Sequence, residues 1–132
     1  MPLVRIEIPA GKPEGYGRKV GDVVYAALTE HFNVPANDRF QIIGVHGPDG
    51  LIIDPDYMGI ARSADALIIQ ATVSAGRSIE MKQALYKAIV DGLHKTLGVR
   101  REDVMINLVE VTRADWSFGN GVAQYVEMDK GK

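Results

Sequence analysis

The amino end of the chain, Met1–Ile8, reads MPLVRIEI. Its aliphatic residues flank two charged ones, Arg5 and Glu7, a pattern that predicts a β-strand. A strand here ties the amino end, where chains usually fray, into a sheet. If Met1 is removed, Pro2 becomes a secondary amine at the end of that strand, and a terminal amine can titrate near neutral pH. Taken alone, a proline at position 2 is more simply explained by chance. The rest of the chain favours a functional role for it.

The composition predicts one globular domain spanning residues 1–132. The chain has 132 residues, of which 46% are hydrophobic and 24% charged, with a net charge of −2 and no cysteine. That length suits one domain with a real core. The weak net charge and the absence of a basic run argue against nucleic acid or an anionic membrane as a partner. No apolar run is long enough to span a bilayer, so we expect a soluble, cytoplasmic protein.

The first half predicts a strand, a helix and a second strand. Apolar residues recur at three- and four-residue spacings from Tyr16 to Phe32, which predicts an amphipathic helix that Pro35 ends. Residues 40–45 predict a strand, and Gly47–Gly50 a turn. Residues 51–53 could form the return strand of a hairpin, and residues 54–65 a surface connection.

The second half repeats this pattern. Residues 67–73 predict a central strand, a helix begins at Ser78 and stops at Gly98, and residues 104–111 predict a fourth strand. A shift of about 65 residues superposes the halves, so that Asp38 falls on Asp103. The internal repeat covers approximately 2–46 and 67–111, followed by a carboxyl-terminal segment, 112–132.

Two strand–helix–strand units predict an α/β (α+β) fold. Right-handed crossovers make the strands of each unit parallel, and joining the units gives a four-stranded mixed sheet with two helices on one face. We expect the other face to be apolar along Ile42 and Ile69. Nothing in the chain covers that face, so the pattern predicts oligomerisation through the sheet.

Three motifs carry a resemblance to a known family. They are Val34-Pro35-Ala36-Asn37-Asp38-Arg39-Phe40-Gln41, then Arg62-Ser63, and above all Asp115-Trp116-Ser117-Phe118-Gly119. With Pro2, the repeated units and the lack of cysteine, the chain resembles the malonate semialdehyde decarboxylase branch of the tautomerase superfamily, from Pro2 to about Tyr125. The resemblance implies a tautomerase-like fold, a homotrimer, a small oxo acid substrate and neither metal nor organic cofactor.

The resemblance also assigns five residues to a site. Pro2 matches the catalytic amine, Asp38 the carboxylate that interacts with it, and Arg77 one of two arginines that hold the substrate carboxylate. Trp116 and Phe118 match the apolar wall of the pocket. The position of the second arginine is occupied by Ala75, which leaves the exact reaction open.

Each of these residues also has a simpler explanation. Asp38 could pair with Arg39 in solvent, Arg77 could be a solvated loop residue, and the aromatic residues could fill the core. The three histidines, His31, His46 and His94, lack metal-ligand spacing, so no metal site is predicted. The joint presence of all five residues favours the site.

The protonation state of Pro2 decides the reaction. Burial lowers the pKa of an amine, and a nearby carboxylate raises it. We expect the effect of Asp38 on the Pro2 pKa to be the larger one and to keep Pro2 protonated. A protonated amine suits decarboxylation of a 3-oxo acid. A neutral amine suits keto–enol tautomerisation of a phenylpyruvate-like substrate. A third alternative is a trimeric binding protein with vestigial activity.

Overall fold

The computed structural model describes residues 1–131. It contains four strands and three helices, joined by loops that include one-turn 3₁₀ helices at Tyr57–Gly59, Arg101–Asp103 and Arg113–Asp115. The strands are β1 (Pro2–Pro9), β2 (Gln41–His46), β3 (Leu67–Ser74) and β4 (Val104–Val111), and the helices are α1 (Tyr16–His31), α2 (Ile79–Leu97) and α3 (Gln124–Asp129).

The four strands form one mixed sheet in the order β2-β1-β3-β4. β1 is parallel to β2 and β3 is parallel to β4, whereas the central pair β1 and β3 is antiparallel. Each parallel pair is bridged by a long helix, because parallel strands need a crossover connection. The predicted fold of two β-α-β units is therefore confirmed.

Both long helices pack on the same face of the sheet. Ile6 and Ile69 pair across β1 and β3, and both are fully buried. Alternate residues of a strand point to opposite faces, so the even-numbered residues of β1 face the helices. From the helices, α1 contributes Val24 and Leu28 to this core, and α2 contributes Leu85 and Ile89.

The repeat is visible in equivalent backbone hydrogen bonds. Asn33 after α1 and Gly98 after α2 both adopt left-handed conformations, with φ of 56° and 66°. The same hydrogen bonds recur at a shift of 65 residues: Ala10 N to His46 O (2.7 Å) and Ala75 N to Val111 O (2.8 Å), and Val34 N to Leu28 O and Val99 N to Leu93 O (both 3.3 Å). The two halves thus share helix ends and strand ends.

The open face of the sheet differs from our expectation. Ile42 does lie there, 40% exposed, opposite Arg5 of β1. Ile69 is buried under the helices instead, so placing the two isoleucines on one face was wrong. The open face is mixed, because Gln70 donates a hydrogen bond to Asn107 (2.9 Å) across β3 and β4.

Two local predictions also need correction. α1 ends at His31, four residues before Pro35, because the left-handed Asn33 reverses the chain. Gly47–Gly50 does form the predicted turn, with Gly50 N donating to Gly47 O (3.0 Å), but residues 51–53 form no strand. Ile53 instead lines a cleft with Ile68 and Met105 of the open face. This segment therefore lies against apolar side chains of the open face and does not pair as the second strand of a hairpin.

Within residues 1–131, no helix combines the length and apolar character that crossing a membrane would require. The same residues contain no group of three or more His, Cys, Asp or Glu placed to hold a metal ion.

Candidate active site

The antiparallel pairing of the central strands brings the amino terminus to the loop that carries Arg77. Pro2 is the register partner of Val73, so the start of β1 lies beside Ser74, the last residue of β3. Arg77 follows three residues later, just before α2. Met1 precedes Pro2 in this chain, so the Pro2 nitrogen is an amide and the free amine belongs to Met1.

Asp38 lies in the loop between α1 and β2, and this loop also approaches the amino terminus. Asp38 N donates to Pro35 O (3.2 Å), and Val4 N donates to Phe40 O (3.0 Å), which fixes this loop against the start of β1. As a result, Asp38 Oδ2 lies 3.8 Å from the Met1 amine.

The simpler alternative for Asp38, an ion pair with Arg39 in solvent, is not what the structure has. Arg39 pairs with Asp22 at 2.8 Å instead. Asp38 Oδ1 is buried and, within residues 1–131, has no hydrogen-bond partner. An unpaired buried carboxylate oxygen is costly, which is the condition expected of a group that serves a site rather than the fold.

Burial dominates the electrostatics of both groups. Burial lowers the pKa of the Met1 amine below its usual range; Asp38 opposes this, while the charges of Arg77 and Arg113 add to it. Burial likewise raises the pKa of Asp38, against the attraction of the amine. For the Met1 amine, burial therefore outweighs the charge of Asp38, whereas for a free Pro2 we expected the charge of Asp38 to outweigh burial.

Arg77 is anchored rather than solvated. Its Nη1 donates to Ser74 O (2.9 Å), its Nη2 donates to Phe32 O (3.1 Å), and its guanidinium lies 5.0 Å from the centre of the Phe32 ring. A guanidinium carries five N–H donors, so these contacts orient Arg77 and leave donors for a ligand. Both orienting carbonyls lie at the ends of secondary-structure elements, since Ser74 is the last residue of β3 and Phe32 directly follows α1.

Trp116 and Phe118 stack beside this group and are half-buried, not core residues. Trp116 Nε1 donates to Ser74 Oγ (3.1 Å), and the two ring centres are 5.7 Å apart. Asp115 supports them by accepting hydrogen bonds from the Thr112 backbone and side chain (2.7 and 2.9 Å), which closes the turn before Trp116. The Asp-Trp-Ser-Phe-Gly motif is thus a turn cap followed by an aromatic wall.

The sequence analysis missed four residues of this region. Ser74 links Arg77 to Trp116, and Phe32 supports the Arg77 guanidinium. Tyr125 meets Phe118 edge to face at 5.0 Å, and Arg113 lies 4.1 Å from the centre of the Tyr125 ring. None of the four has a local signature, because their roles depend on strands and loops that meet only after folding.

The position related to this site by the repeat holds a different arrangement. A cavity of about 290 Å³ there is lined by Lys12 and Asp103, the counterparts of Arg77 and Asp38. Lys12 is paired with Asp65, and Asp103 accepts hydrogen bonds from Ser63 N (2.8 Å) and Ser63 Oγ (2.6 Å). The polar groups at this repeat-related position are therefore paired with other residues of the chain.

The chain is similar to proteins of a known family. A family model described as a tautomerase enzyme matches residues 38–119. A probable tautomerase of Bacillus subtilis (strain 168), YusQ, is 38% identical over 96% of this chain and 100% of its own length.

Two solved structures are also similar over nearly the full length. FG41 malonate semialdehyde decarboxylase inhibited by 3-bromopropiolate superposes with a TM-score of 0.89 at 39% identity, covering 96% of each chain. A second malonate semialdehyde decarboxylase, whose structure is described as a basis for decarboxylase and hydratase activities, superposes with a TM-score of 0.87 at 31% identity, covering 96% of this chain and 98% of its own.

Proposed function

This chain belongs to the tautomerase enzyme family, and we propose from this premise that it acts on a small oxo acid by metal-free decarboxylation of a 3-oxo acid, with Pro2 as the amine once Met1 is removed. The carrying observation is the grouping of the terminal amine, Asp38 and Arg77, with 3.8 Å between the amine and Asp38 Oδ2. Positive charge beside a half-buried aromatic wall suits a small anion. The full-length similarity to two malonate semialdehyde decarboxylases supports the same substrate class.

In the proposed reaction, Arg77 binds the substrate carboxylate and the protonated Pro2 amine donates a hydrogen bond to the 3-oxo oxygen. The bond between the carboxyl carbon and C2 breaks, CO₂ leaves, and the electron pair moves into an enolate that the amine stabilises. The protonated amine then transfers its proton to C2, which gives the aldehyde or ketone, and the amine regains a proton from solvent. Trp116 and Phe118 would exclude water and favour loss of the charged carboxylate.

A specific observation favours a second candidate, keto–enol tautomerisation of a 2-oxo acid. Burial lowers the pKa of the Met1 amine despite the presence of Asp38, and Pro2 would carry the terminal amine in neighbouring surroundings once Met1 is removed. An amine with a lowered pKa is neutral over more of the physiological range and can remove a proton from carbon as a general base. It would return that proton to the substrate at the other end of the keto–enol system.

One experiment tests the proposal and separates the two reactions. The protein is prepared with and without Met1, checked by intact mass, and assayed with a 3-oxo acid and with an arylpyruvate across pH. We expect activity only without Met1. Decarboxylation should fall as pH rises through the Pro2 pKa, because it needs the protonated amine, whereas tautomerisation should rise. Equal activity with Met1 retained would contradict a role for Pro2, and ligand binding without turnover would favour a binding protein.

We further propose that the protein assembles as a homotrimer through the edges and open face of its sheet. Val45 on the edge strand β2 is 64% exposed, and Met105 on the other edge strand, β4, is 48% exposed. Exposed apolar edge strands invite pairing with another chain. In a closed cyclic trimer, both edge strands of every sheet would contact neighbouring subunits.

A further inference from the structure

The loop that carries Asp38 is attached to α1 by side-chain contacts on both sides of Asp38. Before it, the Tyr25 hydroxyl of α1 donates a hydrogen bond to Pro35 O (3.0 Å). After it, Arg39 Nη2 donates to Asp22 Oδ1 of α1 (2.8 Å), and the guanidinium lies 5.2 Å from the centre of the Tyr25 ring. Asp38 therefore lies in a segment that is fixed to the helix at both of its ends.

Gln41, the first residue of β2, completes this attachment. Its Oε1 accepts hydrogen bonds from Arg39 Nε (3.2 Å) and Nη2 (3.0 Å), and its Nε2 donates to Gly21 O of α1 (2.9 Å). A Cβ at Gly21 would collide with Gln41 Oε1, so the glycine lets the amide reach the helix. We call the side chains that make these contacts the brace, and they are Tyr25, Asp22, Arg39 and Gln41.

The side chain of Asp38 has no comparable attachment of its own. It is 15% exposed, and its Oδ1 has no hydrogen-bond partner within residues 1–131. Its Oδ2 lies 3.8 Å from the Met1 amine, which is beyond hydrogen-bond distance. A carboxylate buried with so little compensation would be more stable in water. Contacts elsewhere in the loop must therefore keep Asp38 in place, as is usual for a group that serves a site.

The other half of the repeat lacks the brace and holds its aspartate directly. Asp103, the counterpart of Asp38, accepts hydrogen bonds from Ser63 and Arg100. At a shift of 65 residues, the brace positions are occupied by side chains that cannot form these contacts, namely Val90 for Tyr25, Lys87 for Asp22, Val104 for Arg39 and Ile106 for Gln41. The brace thus accompanies the aspartate beside the terminal amine and not the aspartate that is hydrogen-bonded.

We propose that Arg39 is a positioning residue of the site, which holds the loop against α1 so that the Asp38 carboxylate stays beside the terminal amine. This inference rests on the proposed function, in which Asp38 acts on that amine, and it adds a residue to the same site. The role of Arg39 is indirect, since its guanidinium is directed at Asp22 and Gln41. Without the brace, the loop moves outward and the carboxylate becomes hydrated.

The test is a double-mutant cycle between positions 38 and 39, measured as urea midpoints at pH 7. Asp38→Asn should raise the midpoint of the unmodified protein, because it removes a poorly compensated buried charge. In Arg39→Gln the carboxylate can reach water, so adding Asp38→Asn should raise the midpoint little or not at all.

Three results of this cycle would overturn the inference. An equal gain in both backgrounds would show that Arg39 stabilises the fold without positioning Asp38. A larger gain in the Arg39→Gln background would show that the charge of Arg39 acts on Asp38 through space. Absence of any gain in the unmodified protein would show that Asp38 is not held in an unfavourable place.

Two further variants separate the brace from the charge of Arg39. Gln41→Leu removes the hydrogen bonds to Arg39 and Gly21 without changing any charge, and it should abolish the gain as Arg39→Gln does. Arg18→Gln is the matched control, because Arg18 is 76% exposed and its Nε lies 3.8 Å from the same Asp22 carboxylate. It should leave the gain unchanged. A full gain in Gln41→Leu would contradict a positioning role for the brace.

Kinetics of the protein without Met1 connect the brace to the reaction. Arg39→Gln should lower kcat for a 3-oxo acid about tenfold and change KM less than about twofold, because Arg77 still binds the carboxylate. In an Asp38→Asn background it should cause no further loss, and a further loss would overturn the inference. If the unmodified protein turns over no oxo acid, the proposed function fails, whereas the urea cycle still decides whether Arg39 positions Asp38.

Discussion

At the scale of single residues, the two aspartates related by the repeat show how one side chain can serve either a site or the fold. Asp38 is largely buried, its Oδ1 has no partner within residues 1–131, and burial raises its pKa. Asp103 is also buried, but its carboxylate accepts hydrogen bonds from Ser63 and Arg100. The same residue type at the same place in the repeat is thus unsatisfied in one half and satisfied in the other.

This contrast predicts opposite effects of the same substitution. Asp38→Asn should stabilise the protein at pH 7 by on the order of 1 kcal/mol, because it removes a poorly compensated buried charge. The pKa of Asp38 is raised in the folded protein, so ionisation of Asp38 lowers the free energy of unfolding. The unmodified protein therefore has its full stability below the pKa of an unfolded aspartate and loses some of it as pH rises through the higher folded value. The gain should therefore vanish in acid. Urea unfolding between pH 3 and pH 8 measures it.

Asp103→Asn is the matched control for that measurement. It should destabilise the protein at pH 7 by about 2 kcal/mol, since hydrogen bonds to a charged acceptor are lost or weakened. If Asp38→Asn is less stable than the unmodified protein at pH 7, Asp38 is a structural residue after all.

At the scale of the elements, the ends of the two long helices depend on one residue each. Asn33 and Gly98 occupy equivalent left-handed positions that reverse the chain into the next strand. A side chain at Gly98 would have open space around it, with no atom within 4 Å of an added Cβ. Any cost of substitution there must come from the backbone conformation and not from a clash.

Gly98→Ala should therefore destabilise the protein by about 1 kcal/mol, the cost of a left-handed conformation for a residue with a Cβ. Gly98→Asn should cost less, since asparagine tolerates this conformation and already occupies it at position 33. Urea midpoints of the two variants compare them directly. An alanine variant as stable as the original would show that the helix end relaxes to another conformation.

At the scale of the whole molecule, one face of the sheet is covered by helices and the other is open. The helices cover the even-numbered side of β1, whereas Arg5, Ile42 and Met105 remain exposed on the other. Both edge strands also expose apolar residues. A single chain of 14.4 kDa leaves these surfaces to water, which is the physical basis of the proposed trimer.

Light scattering should accordingly give about three times the mass of one chain. Val45→Lys places a charge on the edge strand β2 and should yield a folded monomer, as lysines do at natural sheet edges. Ile79→Lys changes a residue of comparable exposure, 69% against 64%, at the start of α2, and should remain trimeric. A stable monomer of the unmodified protein at micromolar concentration would contradict the assembly.

The sequence by itself determined the elements and their repetition. Strand alternation, helical spacing, the Ser78 cap and the Gly98 stop are local properties, because each depends on neighbours within a few residues. Ser78 does accept a hydrogen bond from Met81 N (3.2 Å), and α2 does end at Leu97, with Gly98 as its cap. The same locality explains why the motif around Trp116 could be identified before its surroundings were known.

Only the tertiary structure decided which residues share a face and which side chains meet. The register that pairs Ile6 with Ile69 buried Ile69, whereas the register that pairs Arg5 with Ile42 left Ile42 on the open face. A shift of one residue reverses such an assignment, and the alternating pattern alone does not fix it. Likewise, Ser74 joins Arg77 to Trp116, which lies 42 residues beyond Ser74 in the sequence, and Asp38 lies 3.8 Å from the Met1 amine. These contacts form only when the antiparallel pairing of β1 and β3 sets the chain end beside the last residue of β3.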